Sequence, residues 1–349
     1  MFSSLQRSQH QVLPFACPTC PYKVIGRCEG PFDNKSYLMQ HPSLVSCINT
    51  ERRGVFFHEL HGKLLPIPKC SYQDKIALPI FIPGIKGGLK LSGAGANQLF
   101  AVSYEEILGR GGELIVSTLD ELKYKVGLPR DARVALIGTA QDRKLESFWR
   151  IARSRKIWER IAAIGFEFVT SSTFSVWDES PRFDQIRNQE RNFLTHDLFV
   201  DLGVPAIPFL YPFDDSDYRA AFDWLHHRPD INKIAVLAQY YKTPDQFIQF
   251  LNNMRKLQEG AGKQLKFLVV GIASLNKIAA VLSEFDATIV TWKPFQTAIA
   301  AGLRANEHLE YPPDDVLRLK MDREELARHN IEIYSRRCEE LSRGLRSAA

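Results

Sequence analysis

Long apolar runs are missing from this chain of 349 residues. No uninterrupted apolar stretch reaches the roughly 18 to 20 residues that a membrane-spanning helix needs. The stretch from Met1 to Pro14 also lacks the apolar core of a secretory signal. We therefore expect a cytoplasmic protein without a membrane partner.

Glycine-rich nucleotide motifs are also missing. No dinucleotide fingerprint follows any predicted strand, and the stretch from Gly84 to Gly95 lacks the lysine-serine or lysine-threonine pair of a P-loop.

Cysteine is scarce outside one segment: four of the six cysteines fall within Cys17 to Cys47, and only Cys70 and Cys338 lie elsewhere. A secreted domain stapled by disulfides would spread its cysteines along the chain, so this distribution favours metal ligation.

The composition is that of a folded protein with a large core. Hydrophobic residues make up 45% of the chain and charged residues 24%, which excludes a disordered polymer. The net charge of +5 is spread over a long chain and by itself indicates no particular partner.

From Arg133 onward the sequence repeats one unit, a short apolar run followed by a polar loop and a helical pattern. The six runs are RVALIGT (133–139), FEFVTSS (166–172), VPAIPFL (204–210), KIAVLAQ (233–239), KFLVVGI (266–272) and ATIVTW (287–292). Two weaker runs upstream, LPIFIPG (78–84) and LFAVSYEEIL (99–108), complete eight strands. The pattern predicts an α/β fold, a (β/α)8 barrel of the TIM type, with a doubly wound open sheet as the structural alternative.

Apolar spacing predicts helices over 142–163, 183–202 and 215–226. The tail after Pro313 has the pattern of a charged helix that packs one face on the barrel. We therefore expect three parts in the chain. They are a Cys-rich metal-binding segment (1–72), a barrel (73–312) and a helical tail (313–349).

The N-terminal cysteines have the spacing C-x2-C-x7-C-x18-C, formed by Cys17, Cys20, Cys28 and Cys47. Four thiolates suit either a tetrahedral zinc ion or a 4Fe-4S cluster. A zinc ribbon usually repeats a second close pair, which is absent here, whereas an iron–sulfur cluster tolerates irregular spacing. Both metals remain open, and His41, His58 or His61 could replace one ligand.

In a barrel of this kind the chemistry belongs to the loops after the carboxyl ends of the strands. Asp142, which follows the strand over 133–139, is a catalytic candidate at this face. The substrate-binding candidates are Ser175, Trp177, Arg182, Tyr211, Gln239, Tyr240, Trp292 and Lys293. Aromatic walls with a carboxylate suit a planar heterocycle, because rings stack on its faces while the carboxylate accepts from its N–H edge. Sugars or extended peptides would also fit.

The structural alternative is that these loops are polar only because they are exposed. Asp178 and Glu179 would then cap the helix that begins near Phe183.

The predicted helix over 142–163 carries seven cationic side chains against three acidic ones. Such a helix could lie along phosphates, and Arg150, Arg153 and Arg155 are its candidate nucleic-acid contacts. The alternative is a solvated helix face that happens to be rich in arginine.

Residues 169–212 carry a first family resemblance. Its features are Phe174, Ser175, Trp177, Pro181, Asn188, Arg191, Gly203 and the pair Ile207-Pro208. With these residues the stretch resembles an uncharacterised family of phage and mobile-element proteins, marked by an FS-x-aromatic-x-x-x-P loop and a G-x-x-x-I-P strand. That resemblance implies no assigned chemistry.

A second resemblance covers roughly residues 167–304. Asp178 with Glu179, and Phe285 with Asp286, fall where the tRNA-guanine transglycosylases and their deazaguanine-inserting DNA relatives have their two functional aspartates. The resemblance implies base exchange, in which Asp286 attacks C1′ of a nucleotide and Asp178 binds the departing guanine. Our strand prediction places Asp286 at the beginning of the last strand.

The first functional hypothesis is therefore a nucleic-acid-directed enzyme of the transglycosylase type, with DNA or tRNA as its partner. A second is a metal-cluster-bearing nucleic-acid-binding or regulatory protein of a mobile element, without catalysis. A third is a small-molecule enzyme on the same scaffold, since fold does not fix chemistry. The sequence identifies no protein partner.

Overall fold

The computed structural model describes residues 75–91, 97–176, 182–313 and 315–346. The strands in these ranges are β1 (Phe81–Pro83), β2 (Leu99–Ser103), β3 (Arg133–Ile137), β4 (Val169–Thr170), β5 (Ala206–Ile207), β6 (Lys233–Leu237), β7 (Lys266–Val270) and β8 (Ala287–Thr291). The α-helices are α1 (Leu119–Val126), α2 (Asp142–Ala152), α3 (Ile157–Ile164), α4 (Arg182–Asp201), α5 (Asp215–His226), α6 (Pro244–Gly260), α7 (Leu275–Glu284), α8 (Lys293–Ala301) and α9 (Arg323–Arg346). The α/β alternation predicted from the sequence is confirmed.

The strands form two parallel four-stranded sheets, ordered β2-β3-β4-β5 and β1-β8-β7-β6. Single parallel bridges join Gly84 to Ala101 and Phe209 to Ala235, so β1 meets β2 and β5 meets β6. All eight predicted strand positions are confirmed. A strand that is parallel to its neighbour needs a crossover connection, which helices α1 to α7 supply between β2 and β8.

Strands β4 and β5 are only two residues long, although their apolar runs are longer. Pro208 follows β5 and has no N–H to donate to a ladder. Beyond the ends of these two strands, the Phe209 amide donates to the side-chain hydroxyl of Ser171 at 2.7 Å and not to a backbone carbonyl. The backbone pairing of β4 with β5 therefore ends early at the carboxyl ends of these strands.

Successive strand residues alternate between two apolar cores, as the two-residue period of a strand requires. On β3, Val134 and Leu136 belong to the larger core, whereas Ala135 and Ile137 belong to the smaller one. Strand β7 alternates in the same way, and the smaller core takes side chains from both sheets. The strands are thus buried on both faces, as parallel strands usually are.

The prediction of one helix over 142–163 is wrong, because the structure has α2 and α3 with a turn between them. Lys156 in that turn has a left-handed backbone with φ 49°. In the register of α2, a continuous helix would turn Arg155 and Glu159 toward the core. The break shifts the register so that Ile157 and Trp158 are buried instead.

The predicted helices over 183–202 and 215–226 are confirmed as α4 and α5. The charged tail helix is confirmed as α9, which contacts β1, α7 and α8. Tyr334 packs its ring 5.9 Å from that of Phe81, and Asn330 donates to the carbonyls of Pro294 at 3.1 Å and Leu303 at 3.0 Å. One face of α9 therefore binds the rest of the fold.

The predicted metal-binding segment, with Cys17, Cys20, Cys28 and Cys47, lies outside the described residues. Within the described ranges, no helix combines the length and the apolar character needed to cross a membrane.

Candidate functional site

Several of the predicted site residues meet at the carboxyl ends of β3 to β6. The Ser175 hydroxyl donates a hydrogen bond of 2.5 Å to Asp142 Oδ1. Burial raises the pKa of Tyr211 and of Tyr240, and the nearby Asp142 carboxylate raises both further. The side chain of the adjacent Gln239 acts in the opposite direction and lowers the pKa of Tyr240. The structure thus brings together one carboxylate, one serine hydroxyl, an amide and two phenol rings.

Polar side chains of α4 hold the loop that carries Ser175. The Asn188 amide donates to the Ser175 carbonyl at 2.7 Å, and the Phe174 amide donates to Asn192 Oδ1 at 2.9 Å. Three residues before Ser175, the Ser172 amide donates to the hydroxyl of Thr195 on α4 at 3.0 Å. Because three successive contacts fix this loop, the position of the Ser175 hydroxyl is set by α4.

The two tyrosines have different roles in the site. The Tyr211 hydroxyl donates to the Phe174 carbonyl at 2.6 Å and accepts from the Asn192 amide. Its proton is therefore engaged, and the ring serves as a wall. Tyr240 is 48% exposed, so its ring is accessible to a ligand that stacks on it.

Glu146 and Arg191 lock α2 to α4 beside the site. Arg191 is fully buried and donates to both Glu146 oxygens, at 2.7 and 3.2 Å. Its guanidinium also lies 3.4 Å from the centroid of the Phe174 ring. Burial acts to raise the pKa of Glu146, but Arg191 outweighs it and holds that pKa below its usual range. Glu146 is therefore an ionised structural partner rather than a proton donor.

Arg182 was a substrate-binding candidate, and the structure places it in a buried ion-pair network. It is 5% exposed and donates to both oxygens of Asp217, at 2.9 and 2.6 Å, and to Asp214 at 3.0 Å. Burial acts to raise the pKa of Asp217, but Arg182 lowers it below its ordinary value. The structure therefore uses Arg182 to join the first turns of α4 and α5.

Trp292 and Lys293 lie at the end of β8. The Trp292 indole N–H donates to the Ile85 carbonyl at 3.1 Å, and its ring lies so close to Gly84 that a Cβ there would overlap it. Trp292 is therefore packed over the end of β1. Lys293 is exposed, with its Nζ 5.5 Å from the centroid of the Tyr311 ring.

Asp286 is not brought together with Asp142. It immediately precedes β8, its side chain is 51% exposed, and its Oδ1 lies 3.6 Å from Lys266 Nζ. Five residues of β8 separate it from the carboxyl ends, a span of about 17 Å at the usual rise of a strand. Asp178 and Trp177 lie outside the described residues.

The three candidate nucleic-acid arginines are exposed, and the described residues form no salt bridge with them. Arg150 donates weakly to Ser147 Oγ at 3.4 Å, while Arg153 and Arg155 lie in the turn after α2. Helix α2 has 11 residues, so its two ends are about 16 Å apart. Asp142 begins this helix, and Arg153 and Arg155 therefore lie toward the opposite end of the strands.

A set of exposed cations lies at the carboxyl ends, and the sequence analysis missed Lys86 and Lys242 as members of it. Its members, Lys86, Arg143 and Lys242, follow the carboxyl ends of β1, β3 and β6 as Lys293 follows that of β8, and none has an ion pair with a described residue. Two acidic residues that follow β2 at this end have lysine partners, since Glu105 pairs with Lys144 and Glu106 lies 3.8 Å from Lys125. Each of these cations follows a predicted strand within a few residues, so this position in the sequence could have identified them as residues of the carboxyl-end face.

Comparisons with known proteins leave the site to be interpreted from its own chemistry. No known protein family matches the chain, and no curated protein matches it. Among the described residues, no group of three or more His, Cys, Asp or Glu side chains is arranged to hold a metal ion.

Proposed function

We propose that the eight strands close into a (β/α)8 barrel of the TIM type. The bridges Gly84–Ala101 and Phe209–Ala235 connect the two sheets at both pairs of edges. The smaller core, which both sheets share, then forms the barrel interior. In such barrels the substrate binds at the carboxyl ends of the strands, where Asp142 and Ser175 lie.

We infer that this mouth binds a planar heterocycle that carries a phosphate, as a nucleotide unit of DNA or tRNA does. The Tyr240 ring provides a stacking surface, and the Asp142 carboxylate accepts from an N–H of the heterocycle or acts on its sugar. The cations Lys86, Arg143 and Lys242, which have no ion pair with another described residue, attract the phosphate. The observation that carries this proposal is the Asp142–Ser175 hydrogen bond beside two tyrosine rings.

The reaction that we propose is base exchange at the glycosidic bond. Ser175 holds Asp142 Oδ1, and Oδ2 forms a bond to C1′ while the bond from C1′ to the base nitrogen breaks. The departing base keeps the electron pair and takes a proton from water. An incoming guanine or deazaguanine then gives its N–H proton to the hydroxide left from that water, forms a new bond from its nitrogen to C1′ and displaces the Asp142 carboxylate.

In this proposal Asp142 takes the nucleophilic role, because Asp286 lies at the amino ends of the strands. Asp178, three residues beyond Ser175 in the sequence, keeps the base-recognising role. The test is the exchange of labelled guanine or deazaguanine into DNA and tRNA, with Asp142→Asn and Asp286→Asn as the paired variants.

The metal centre is a second part of the proposal. Cys17, Cys20, Cys28 and Cys47 would bind one 4Fe-4S cluster or one zinc ion, in a cytoplasm that keeps thiols reduced. Anaerobic purification, metal analysis and an absorption spectrum distinguish the two, since only a cluster gives a brown protein with iron and sulfide. Changing Cys17 and Cys20 to serine should lower the bound metal, and unchanged metal content would contradict the assignment.

A second candidate function is nucleic-acid binding without catalysis, as in a regulatory protein of a mobile element. The exposed arginines at the far end of α2 favour it, because they lie away from the carboxyl-end site. Under this hypothesis Asp142→Asn leaves nucleic-acid affinity unchanged, whereas the loss of Arg153 and Arg155 weakens it.

A further inference from the structure

Among the residues that the structure describes, three large aromatic side chains are exposed, and two of them follow the carboxyl ends of adjacent strands. Phe213 follows β5 and is 43% exposed, and Tyr240 follows β6 and is 48% exposed. The third, Tyr124, lies on α1 and is 85% exposed. A single exposed ring is ordinary, but two exposed rings on neighbouring loops of one face indicate a binding surface.

The two loops leave the strands side by side. Phe209 forms a parallel bridge with Ala235, and the Leu210 amide donates to the Ala235 carbonyl at 3.0 Å. Neighbouring strands lie about 4.8 Å apart. Phe213 comes four residues after Phe209, and Tyr240 comes five residues after Ala235. Both rings therefore belong to the same face, a similar number of residues beyond one bridge.

Phe213 is exposed although the loop that carries it is firmly held. Its amide donates to Asp217 Oδ2 at 3.1 Å. Asp217 is held in turn by Arg182 at 2.6 Å and by Gln189, whose amide donates to Oδ2 at 2.7 Å. Pro212 precedes Phe213, and its ring fixes one backbone dihedral angle of the loop. The Phe213 ring is thus presented to solvent by a preorganised backbone.

Tyr240 and Phe213 are attached to different parts of the fold. The Tyr241 ring packs 5.0 Å from that of Phe250 on α6, so the loop after β6 packs Tyr241 inward and presents Tyr240 to solvent. The Asp142 carboxylate is near enough to raise the pKa of Tyr240, so this tyrosine lies beside the proposed nucleophile. Phe213 is instead tied to α5, which packs on the strands through the larger core. A base at Asp142 is therefore within reach of Tyr240, and Phe213 is placed for a neighbouring base.

We propose that Tyr240 and Phe213 stack on two successive bases of an unpaired nucleotide strand. The inference rests on the proposed function, and it defines the substrate of that site as a single-stranded polynucleotide of at least two nucleotides. In a duplex each base is paired and is stacked between its neighbours, so its faces are not available to protein rings. An unpaired strand offers those faces, and stacking on aromatic side chains is the usual way in which proteins bind it.

The charges beside the two rings are compatible with a strand of phosphates. Lys242 is exposed two residues beyond Tyr240 and has no ion pair with a described residue. Two carboxylates that follow Phe213 would repel a phosphate, but each has a cationic partner. Asp214 pairs with Arg182 at 3.0 Å, and Asp215 pairs with Lys256 at 2.6 Å. The surface around the rings therefore keeps an uncompensated positive charge for the phosphates.

The test compares the binding of guanosine monophosphate with that of labelled ten-nucleotide strands of DNA and RNA at one salt concentration. Calorimetry measures the first affinity and fluorescence anisotropy the second, on whichever strand the wild type binds more tightly. We expect Phe213→Ala to weaken strand binding about tenfold, as the loss of one base-stacking ring does, and to leave the monophosphate affinity unchanged. Tyr240→Ala should weaken both. Tyr124→Ala is the matched control, because it removes an exposed ring from α1, and it should change neither.

Phe213→Trp should keep the strand affinity, because it keeps an aromatic ring, and melting curves check that every variant is folded. Unchanged strand binding by Phe213→Ala would overturn the proposal. An equal loss of monophosphate and strand binding would place both rings on one base and overturn it too, as would equal losses for the strand and its duplex.

The outcomes also separate this inference from the proposed function. A wild type that binds the strand through both rings but exchanges no base would contradict the proposed reaction alone. Base exchange by a Phe213→Ala variant that binds the strand as tightly as the wild type would contradict this inference alone.

Discussion

The hydroxyl of Ser175 donates to Asp142 at 2.5 Å and so joins the loops that follow β3 and β4. Asn188 supports the same loop from α4 through the Ser175 carbonyl, at 2.7 Å. The Ser175 side chain contacts the proposed nucleophile, while its backbone contacts the scaffold. The two functions of this residue can therefore be separated by mutation.

Ser175→Ala should lose the contact with Asp142 and keep the backbone contact with Asn188. We expect a loss of about 1 kcal/mol in the free energy of unfolding, typical of one hydrogen bond, together with a clear fall in base exchange. Urea unfolding and the exchange assay measure the two effects. Asn188→Ala is the matched variant, and a larger loss of activity in Ser175→Ala with smaller destabilisation would support the assignment. Normal exchange by Ser175→Ala would contradict it.

Glu146→Gln should destabilise the fold, because it removes the carboxylate that accepts two hydrogen bonds from the fully buried Arg191. We expect a loss of about 3 kcal/mol, the lower end of the range for a broken buried pair, since Glu146 itself is partly exposed. Thermal or urea unfolding measures it. Asp215→Asn is the control, because it removes an exposed pair with Lys256, and it should have no measurable effect. Equal stability of both variants would mean that the Arg191 pair contributes little.

Acid should destabilise the protein through Asp217, whose pKa the Arg182 contact lowers against the opposing effect of burial. A carboxyl group with a lowered pKa in the folded state stabilises it above the unfolded pKa of about 4. That stabilisation is lost as the pH falls through the folded pKa. Urea unfolding between neutral and acid pH should show the loss in the wild type and a flatter profile in Asp217→Asn. Parallel profiles would show that Asp217 does not control the acid response.

Changing Arg150, Arg153 and Arg155 together to glutamate should weaken binding to short DNA and RNA. Each phosphate contact releases counterions, so the wild-type affinity should also fall more steeply with salt than that of the variant. Because α2 separates these arginines from the site, binding of a single nucleotide should be unchanged. Binding at two salt concentrations tests this, and equally weak binding by both proteins would make the helix a solvated face only.

The strands were predictable because parallel strands that are buried on both faces leave continuous apolar runs, as in 133–139 and 266–272. The break after α2 was not predicted, although a continuous helix would have turned the charged Arg155 and Glu159 toward the core; the register of the buried face changes at Lys156. The partner of Arg182 was equally hidden, because Asp217 lies on the next helix, 35 residues away. Asp142 and Ser175 were both predicted as site residues, but their mutual hydrogen bond, at a separation of 33 residues, was not.

The most direct test of the account is the transfer of labelled guanine or deazaguanine into DNA and tRNA by three proteins: the wild type, Asp142→Asn and Asp286→Asn. Asparagine keeps the size of the side chain and removes its charge, and melting curves check that each variant is folded. We predict exchange by the wild type and by Asp286→Asn, and none by Asp142→Asn. Exchange by folded Asp142→Asn, or no exchange by the wild type with either nucleic acid, would contradict the proposed function.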